Sequence, residues 1–265
     1  MRIHALLLPA LAIAALAPTA AAAPPKTTVT WYGHAAFKIE TPNGKTILVD
    51  PWLQNPANPK GKDDVKSVKA DLILVTHGHF DHVGDAVEIG KRTKAKLVAT
   101  FDLGNGIVST LGYPKDQWGM DSGGNVGGSL TLLDGEVTVT FVPAVHSSTL
   151  GEGAKTVPGG EPGGFVIAVK GGPTLYHTGD TDVFGDMAQI AKFHKIDVML
   201  ACIGGHFTMG PDRAAEAVRL VKPTLVVPMH FGTFPLLAGT PADLAKKVGA
   251  ASKVTEIKIG ASQQF

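Results

Sequence analysis

Thr76-His77-Gly78-His79-Phe80-Asp81-His82 places four metal-binding side chains within six residues, directly after the apolar run Leu72-Ile73-Leu74-Val75. That run is short, branched and bounded by polar residues, which predicts a buried strand. The histidines then fall in the loop at the strand's carboxyl end, a usual place for a site in an α/β protein. Alternation lets His77 and His79 point two imidazoles at one ion. Asp81 and His82 turn into the next helix, within reach of a second ion. Gly78 removes a side chain where the loop must fold tightly. So dense a set of zinc-type ligands is unlike an ordinary polar loop.

Other segments follow in order: Trp31-Tyr32-Gly33-His34-Ala35-Ala36-Phe37, Val49-Asp50-Pro51-Trp52, His146-Ser147-Ser148, Tyr176-His177-Thr178-Gly179-Asp180-Thr181, Phe207-Thr208-Met209-Gly210-Pro211 and Pro228-Met229-His230-Phe231-Gly232-Thr233-Phe234-Pro235. With the HxHxDH pattern they make the chain resemble the metallo-β-lactamase superfamily over residues 29–259. The nearest likeness is to its stand-alone metal-dependent hydrolases, related to the ascorbate-phosphate lactonases. The pattern of elements by itself gives only a mixed α/β protein. The resemblance implies a four-layer αββα sandwich.

The same resemblance implies a dinuclear centre. His77, His79 and His146 would hold one ion, Asp81, His82 and His230 the other, and Asp180 would bridge them. Imidazole and carboxylate ligands without thiolate suit divalent ions of borderline to hard character. Zinc is the first choice, with manganese and iron open. Two ions about 3.5–4 Å apart bring a bridging water near neutrality, and the hydroxide attacks a carbonyl or phosphoryl centre. Asp81 would orient that nucleophile and carry a proton to the leaving group. His34 and Asp50 are expected beside the ligands, Asp50 holding a ligand histidine through its ring N–H. His206 follows a strand end and is expected to contact substrate. His177 is expected to be structural and His194 to lie at the surface.

Across 265 residues, 44% hydrophobic and 18% charged, the composition is that of one globular domain. Residues 1–23 read as a secretory signal peptide: Arg2, an apolar run from Ala5 to Ala17, and small residues at Ala21-Ala22-Ala23. The run is too short for a membrane span, which needs about 20 residues. The expectation is a hydrolase domain over residues 24–265, periplasmic or secreted, with no stable membrane anchor. Removing Arg2 makes the 24 basic residues equal in number to the 23 acidic ones. A neutral surface has no electrostatic footprint for nucleic acid, so the expected partner is a small-molecule substrate. Oligomeric state is not legible. Cys202 is the single cysteine, which excludes an internal disulfide, and its apolar run, 198–203, predicts a small buried core residue.

The remaining expectations concern elements. Strands are predicted at 28–31, 35–40, 46–49, 96–100, 130–133, 137–142, 165–169, 174–177, 197–203, 225–227 and 254–259. Helices are predicted at 83–91, 183–192 and 210–222, and after a Thr240 N-cap. Residues 54–64, 104–128 and 151–164 read as loops, the last placed to act as a lid.

The activity expected is therefore hydrolysis of a small ester, lactone or phosphodiester. A true β-lactamase is the first rival. Lactamases of this superfamily typically carry Arg where this chain has His82, and many use a cysteine ligand where it offers Asp180. A processing nuclease would be more basic. A redox di-iron relative would carry Glu in place of His79 and a flavin domain. A non-catalytic metal-binding protein of the same fold is the rival outside enzymology.

Overall fold

The computed structural model describes residue 1, residues 26–151 and residues 153–265; the expected signal peptide lies outside the described residues. Two seven-stranded sheets face each other. The first runs in the order Ser262–Gln264, Thr28–Trp31, Phe37–Glu40, Thr46–Val49, Leu72–Leu74, Lys96–Thr100, Gly123–Gly124. The second runs Lys253–Val254, Leu225–Met229, Val198–Cys202, Thr174–His177, Gly163–Val169, Val137–Pro143, Ser129–Leu132.

Alternation along the strands builds the layers. Ile47, Val49, Leu72 and Leu74 face the second sheet and pack with Val137, Val139, Phe165 and Ile167. Leu48, Ile73 and Leu97 point the other way, into a core with Val65, Ala86, Ile89 and Leu103 of helices Gly61–Ser67, Ala86–Thr93 and Phe101–Gly106. Helices Met187–Phe193, Pro211–Val221 and Pro241–Val248 cover the outer face of the second sheet through Ile190, Ala214, Val218, Leu244 and Val248. The architecture is thus helix, sheet, sheet, helix, as expected. Burying each large apolar side chain in these layers stabilises by about 1.5–3 kcal/mol. Among the described residues no helix is long and apolar enough to cross a membrane.

Parallel pairing positions the site. Thr46–Val49, Leu72–Leu74 and Lys96–Thr100 are parallel in the first sheet. Thr174–His177, Val198–Cys202 and Leu225–Met229 are parallel in the second. The loops beyond the carboxyl ends of strands from both sheets meet at one end of the sandwich.

Four expectations change. The predicted loop at 104–128 holds the end of helix Phe101–Gly106, continued by a π-helical turn at Ile107–Leu111. Glycine there concealed a helix, because a Cβ on Gly104 would stand 2.1 Å from the Trp118 ring. The predicted surface loop at 54–64 is partly buried: Asn55 Nδ2 donates to the carbonyls of Tyr32 and Trp52, and helix Gly61–Ser67 closes it. The predicted helix at 83–91 is broken at Gly84 into Phe80–Val83 and Ala86–Thr93. The predicted last strand is only Lys253–Val254, and the polar segment Ser262–Gln264 crosses to the first sheet and pairs with Thr28–Trp31.

Candidate metal centre

Each candidate ligand sits past the end of a strand. His77, His79, Asp81 and His82 follow Leu72–Leu74, and His146 follows Val137–Pro143. Asp180 follows Thr174–His177, and His230 follows Leu225–Met229. The structure brings all seven together. His77, His79 and His146 offer ligand atoms within 4.8 Å of one another, as do His77, His82 and Asp180. A third such group is His34, Asp81, His82 and His230. Asp180 lies between them: Oδ1 is 3.3 Å from His82 Nε2, while Oδ2 is 2.9 Å from His230 Nε2 and 3.6 Å from His146 Nε2.

These approaches are close, yet the buried His82 Nε2, Asp180 Oδ1 and His230 Nε2 have no hydrogen-bond partner among the described residues. Distance without hydrogen-bond alignment means that the atoms converge on shared points instead of on each other. Buried polar atoms left this way are costly unless something else satisfies them. The donor set is imidazole and carboxylate, which fits divalent ions. Cys202 is excluded from it, buried in its strand with Sγ against Thr178 Oγ1 and the Thr181 carbonyl.

Hydrogen bonds fix which ring nitrogen His77 and His82 present. Asp50 is fully buried; its Oδ1 accepts from Thr76 N at 2.8 Å. Its Oδ2 accepts from Thr76 Oγ1 at 2.7 Å and from His82 Nδ1 at 2.8 Å. With its proton given to Asp50, the Thr76 hydroxyl accepts from His77 Nδ1 at 3.0 Å. One carboxylate therefore aims the Nε2 atoms of two histidines. His34 Nε2 donates to Asp81 Oδ2 at 2.9 Å, and His34 Nδ1 accepts from Thr233 Oγ1 at 3.0 Å. Burial and the adjoining His230 hold His34 down at about 4, so the ring is neutral and this tautomer follows.

The electrostatics are those of a cluster of mutually supporting charges. Burial pushes His77 well below the ordinary histidine range. Burial would lower His230 too, but the Asp180 carboxylate outweighs it and raises the ring to about 9. His82 is raised for the same reason, against burial, by Asp180, Asp50 and Asp81. Burial opposes ionisation of Asp180 and Asp81, yet the surrounding imidazoles hold both well below the usual carboxylate range. Strain accompanies this density of charge. His34, Asp50 and His230 have φ of 53°, 45° and 56°, left-handed values that non-glycine residues seldom adopt.

Three further histidines are placed elsewhere. His177 is buried and structural, its Nε2 donating to the Ala35 carbonyl at 3.0 Å. His194 is half-buried, in a groove with Phe193 away from the ligands. His206 corrects an expectation: it is exposed, at φ 54°, and lines a separate groove with Pro211 and Leu236. The next residue, Phe207, lines the cavity that holds His79, Asp81, His146 and Asp180. Thr76 and Thr233 were missed as orienting residues, although both lie in or beside the quoted motifs.

Residues 28–230 match a family model described as a beta-lactamase superfamily domain. A UPF0173 metal-dependent hydrolase from Thermodesulfovibrio yellowstonii is 55% identical over 241 residues, covering 88% of this chain and 90% of its own. Another from Anaeromyxobacter dehalogenans is 56% identical over 237 residues, covering 89% and 85%. Among solved structures, Igni18, a metallo hydrolase from Ignicoccus hospitalis, aligns with a TM-score of 0.78 at 35% identity, over 91% of this chain and 98% of its own. A match across most of both chains, at more than half identity, means that this chain belongs to the metallo-β-lactamase superfamily, in its UPF0173 metal-dependent hydrolase family.

Proposed function

We propose that the protein is an exported dinuclear hydrolase of a small ester, lactone or phosphodiester. His77, His79 and His146 would hold one divalent ion, and Asp81, His82 and His230 the second, with Asp180 shared. The observation that carries this reading is the convergence of the buried, unpartnered His82 Nε2, His230 Nε2 and Asp180 Oδ1. Zinc is the first candidate, with manganese and iron next, since all three accept imidazole and carboxylate. When bound, such ions supply Lewis acidity, which polarises the substrate's oxygen and acidifies an attacking water.

The chain's own residues supply orientation and proton transfer. Asp50 holds His82 directly and His77 through Thr76, so neither ring needs to reorient on loading. Asp81 faces the cavity and is 14% exposed at its side chain, enough to meet a water or a leaving group. His34 pins Asp81 Oδ2, leaving the other carboxylate oxygen to take a proton from the nucleophile and return it to the leaving oxygen. Aromatic Trp52 and Phe234 close the side behind His34. Export rests on the pattern of residues 1–23 and is tested by the mass of protein recovered from a periplasmic extract.

The decisive experiment is metal analysis of the purified protein, joined to a screen of lactones, carboxylic esters and phosphodiesters. Two equivalents of metal, and hydrolysis lost to chelator and in Asp81→Ala, are expected. Hydrolysis unchanged in Asp81→Ala would overturn the assigned proton path. Turnover of a chromogenic cephalosporin would favour the β-lactamase alternative, and tight metal binding with no turnover a binding protein.

A further inference from the structure

Phe80 stands between two openings. On one side is the cavity of about 360 Å³ that contains His79, Asp81, His146 and Asp180, with Phe207 opposite. On the other is a larger groove of about 590 Å³, bounded by Trp52, Gln54, Val83, Val87, Leu111 and Gly151. Both volumes fall in the range of small-molecule sites. Phe80 is 53% exposed and Phe207 55% exposed, so two phenyl rings flank the ligand cluster with much of their surface in water. Behind Phe80 the wall continues: Trp52 meets its ring edge-on at 5.5 Å and stacks over Phe234 at 5.9 Å.

The charges are as informative as the rings. Among the described residues, neither the cavity nor the groove has a lysine or arginine in its lining. Asp85 is the carboxylate in the groove, and it is occupied: Gln54 donates to it from its backbone N at 2.9 Å and from Nε2 at 2.7 Å. A second anionic group on a substrate would find no side-chain cation here, whereas a hydrocarbon chain finds Phe80, Val83, Val87, Leu111 and Trp52. Phe80 lines both the cavity and the groove, so a substrate lying along its exposed ring would reach from one into the other.

We propose that this groove is an acyl-chain subsite, and that the substrate is an uncharged carboxylic ester or lactone bearing a medium-length alkyl chain. This rests on the hydrolase reading and narrows it, setting the phosphodiester aside. In the reaction one water is consumed. Its oxygen bonds to the acyl carbon, the acyl carbon–oxygen bond breaks, and one water proton ends on the departing alkoxide. The other proton leaves as the new carboxylic acid ionises. A lactone opens by the same bond to a hydroxy acid.

The test is a chain-length series with zinc-loaded protein: p-nitrophenyl acetate, butyrate, hexanoate and octanoate, with bis(p-nitrophenyl) phosphate alongside. Each methylene moved from water into an apolar site is worth roughly fourfold, so even a half-open groove that counts half of the six added methylenes should favour octanoate over acetate roughly 60-fold in kcat/KM. Val87→Asp, in the first turn of its helix where an acidic residue is tolerated, should collapse that ratio toward one; Leu111→Asp should do the same. A thermal melt shows whether each variant folds. A flat series, or preference for the phosphodiester, overturns the acyl subsite and leaves the hydrolase standing. If no substrate turns over with zinc, manganese or iron, the hydrolase reading fails instead. The groove is then decided by calorimetric titration with 2-decanone, uncharged and not hydrolysable. Binding that Val87→Asp abolishes supports the groove, and absence of binding by the parent protein overturns it.

Discussion

Asp50 accepts a hydrogen bond from His82 Nδ1 at 2.8 Å while both side chains are fully buried. The same carboxylate takes the Thr76 hydroxyl, and through it governs His77. Removing it loosens two rings at once. Asp50→Ala is expected to weaken zinc binding about 10–100-fold, the usual cost of losing a residue that orients a ligand. Competition with a chromophoric chelator measures this, and an unchanged affinity would show that the rings are positioned by packing alone.

His34 hydrogen-bonds the proposed proton carrier, Asp81, and not the unpartnered Nε2 of His82. In His34→Ala the metal content should stay near that of the parent, while kcat falls about 10-fold or more as Asp81 loses its anchor. Metal analysis and steady-state kinetics on the same preparation separate the two effects. Loss of one equivalent of metal would instead make His34 a ligand.

Loading should release protons. His230 is held up at about 9, chiefly by Asp180 against burial, so its ring is an imidazolium at neutral pH in the metal-free protein, and His82 is raised in the same direction. An ion binds only the neutral ring. Apparent affinity should therefore climb as pH rises toward about 9 and fall as pH drops. Calorimetry in two buffers of different ionisation enthalpy should show at least one proton released; none released would mean that the rings bind already neutral.

Much of this centre could be read from the chain, because metal ligation demands particular side chains at particular strand ends. His77, His79, Asp81, His82, His146, Asp180 and His230 meet as the motifs predict. Asp50 and His34 were expected beside them, but the partners that orient them were not legible, since Thr76 and Thr233 carry no spacing rule. His206 was expected toward the substrate, but no spacing rule says which of positions 206 and 207 lines the cavity, and the structure puts Phe207 there. The fold's layers followed from alternation in strands such as Thr46–Val49. The helix at Phe101–Gly106 did not, because its glycine answers to a tryptophan from elsewhere in the chain.

That tryptophan gives a stability prediction. A Cβ on Gly104 would meet the Trp118 ring at 2.1 Å, so Gly104→Ala must displace the indole despite alanine's higher helix propensity. Overpacking of this kind costs about 1–3 kcal/mol. Denaturant unfolding checks it, and a stabilised variant would show that the ring yields freely.

Cys202 should be silent toward thiol reagents in the folded protein. Burial, reinforced by Asp180, pushes its thiol up to about 12, which leaves almost no thiolate at neutral pH. Colour from a disulfide reagent should develop only after denaturation. Rapid reaction in the native state would mean that the strand Val198–Cys202 opens.

The edge that Ser262–Gln264 gives to Thr28–Trp31 joins residues more than two hundred positions apart, with Thr30 Oγ1 meeting Ser262 Oγ at 2.8 Å. A ribosome making this chain must deliver residue 264 before residue 28 has a neighbour on that side. Contacts so distant are slow to form. The nascent polypeptide therefore adds more than two hundred further residues while that strand's outer backbone stays unpaired.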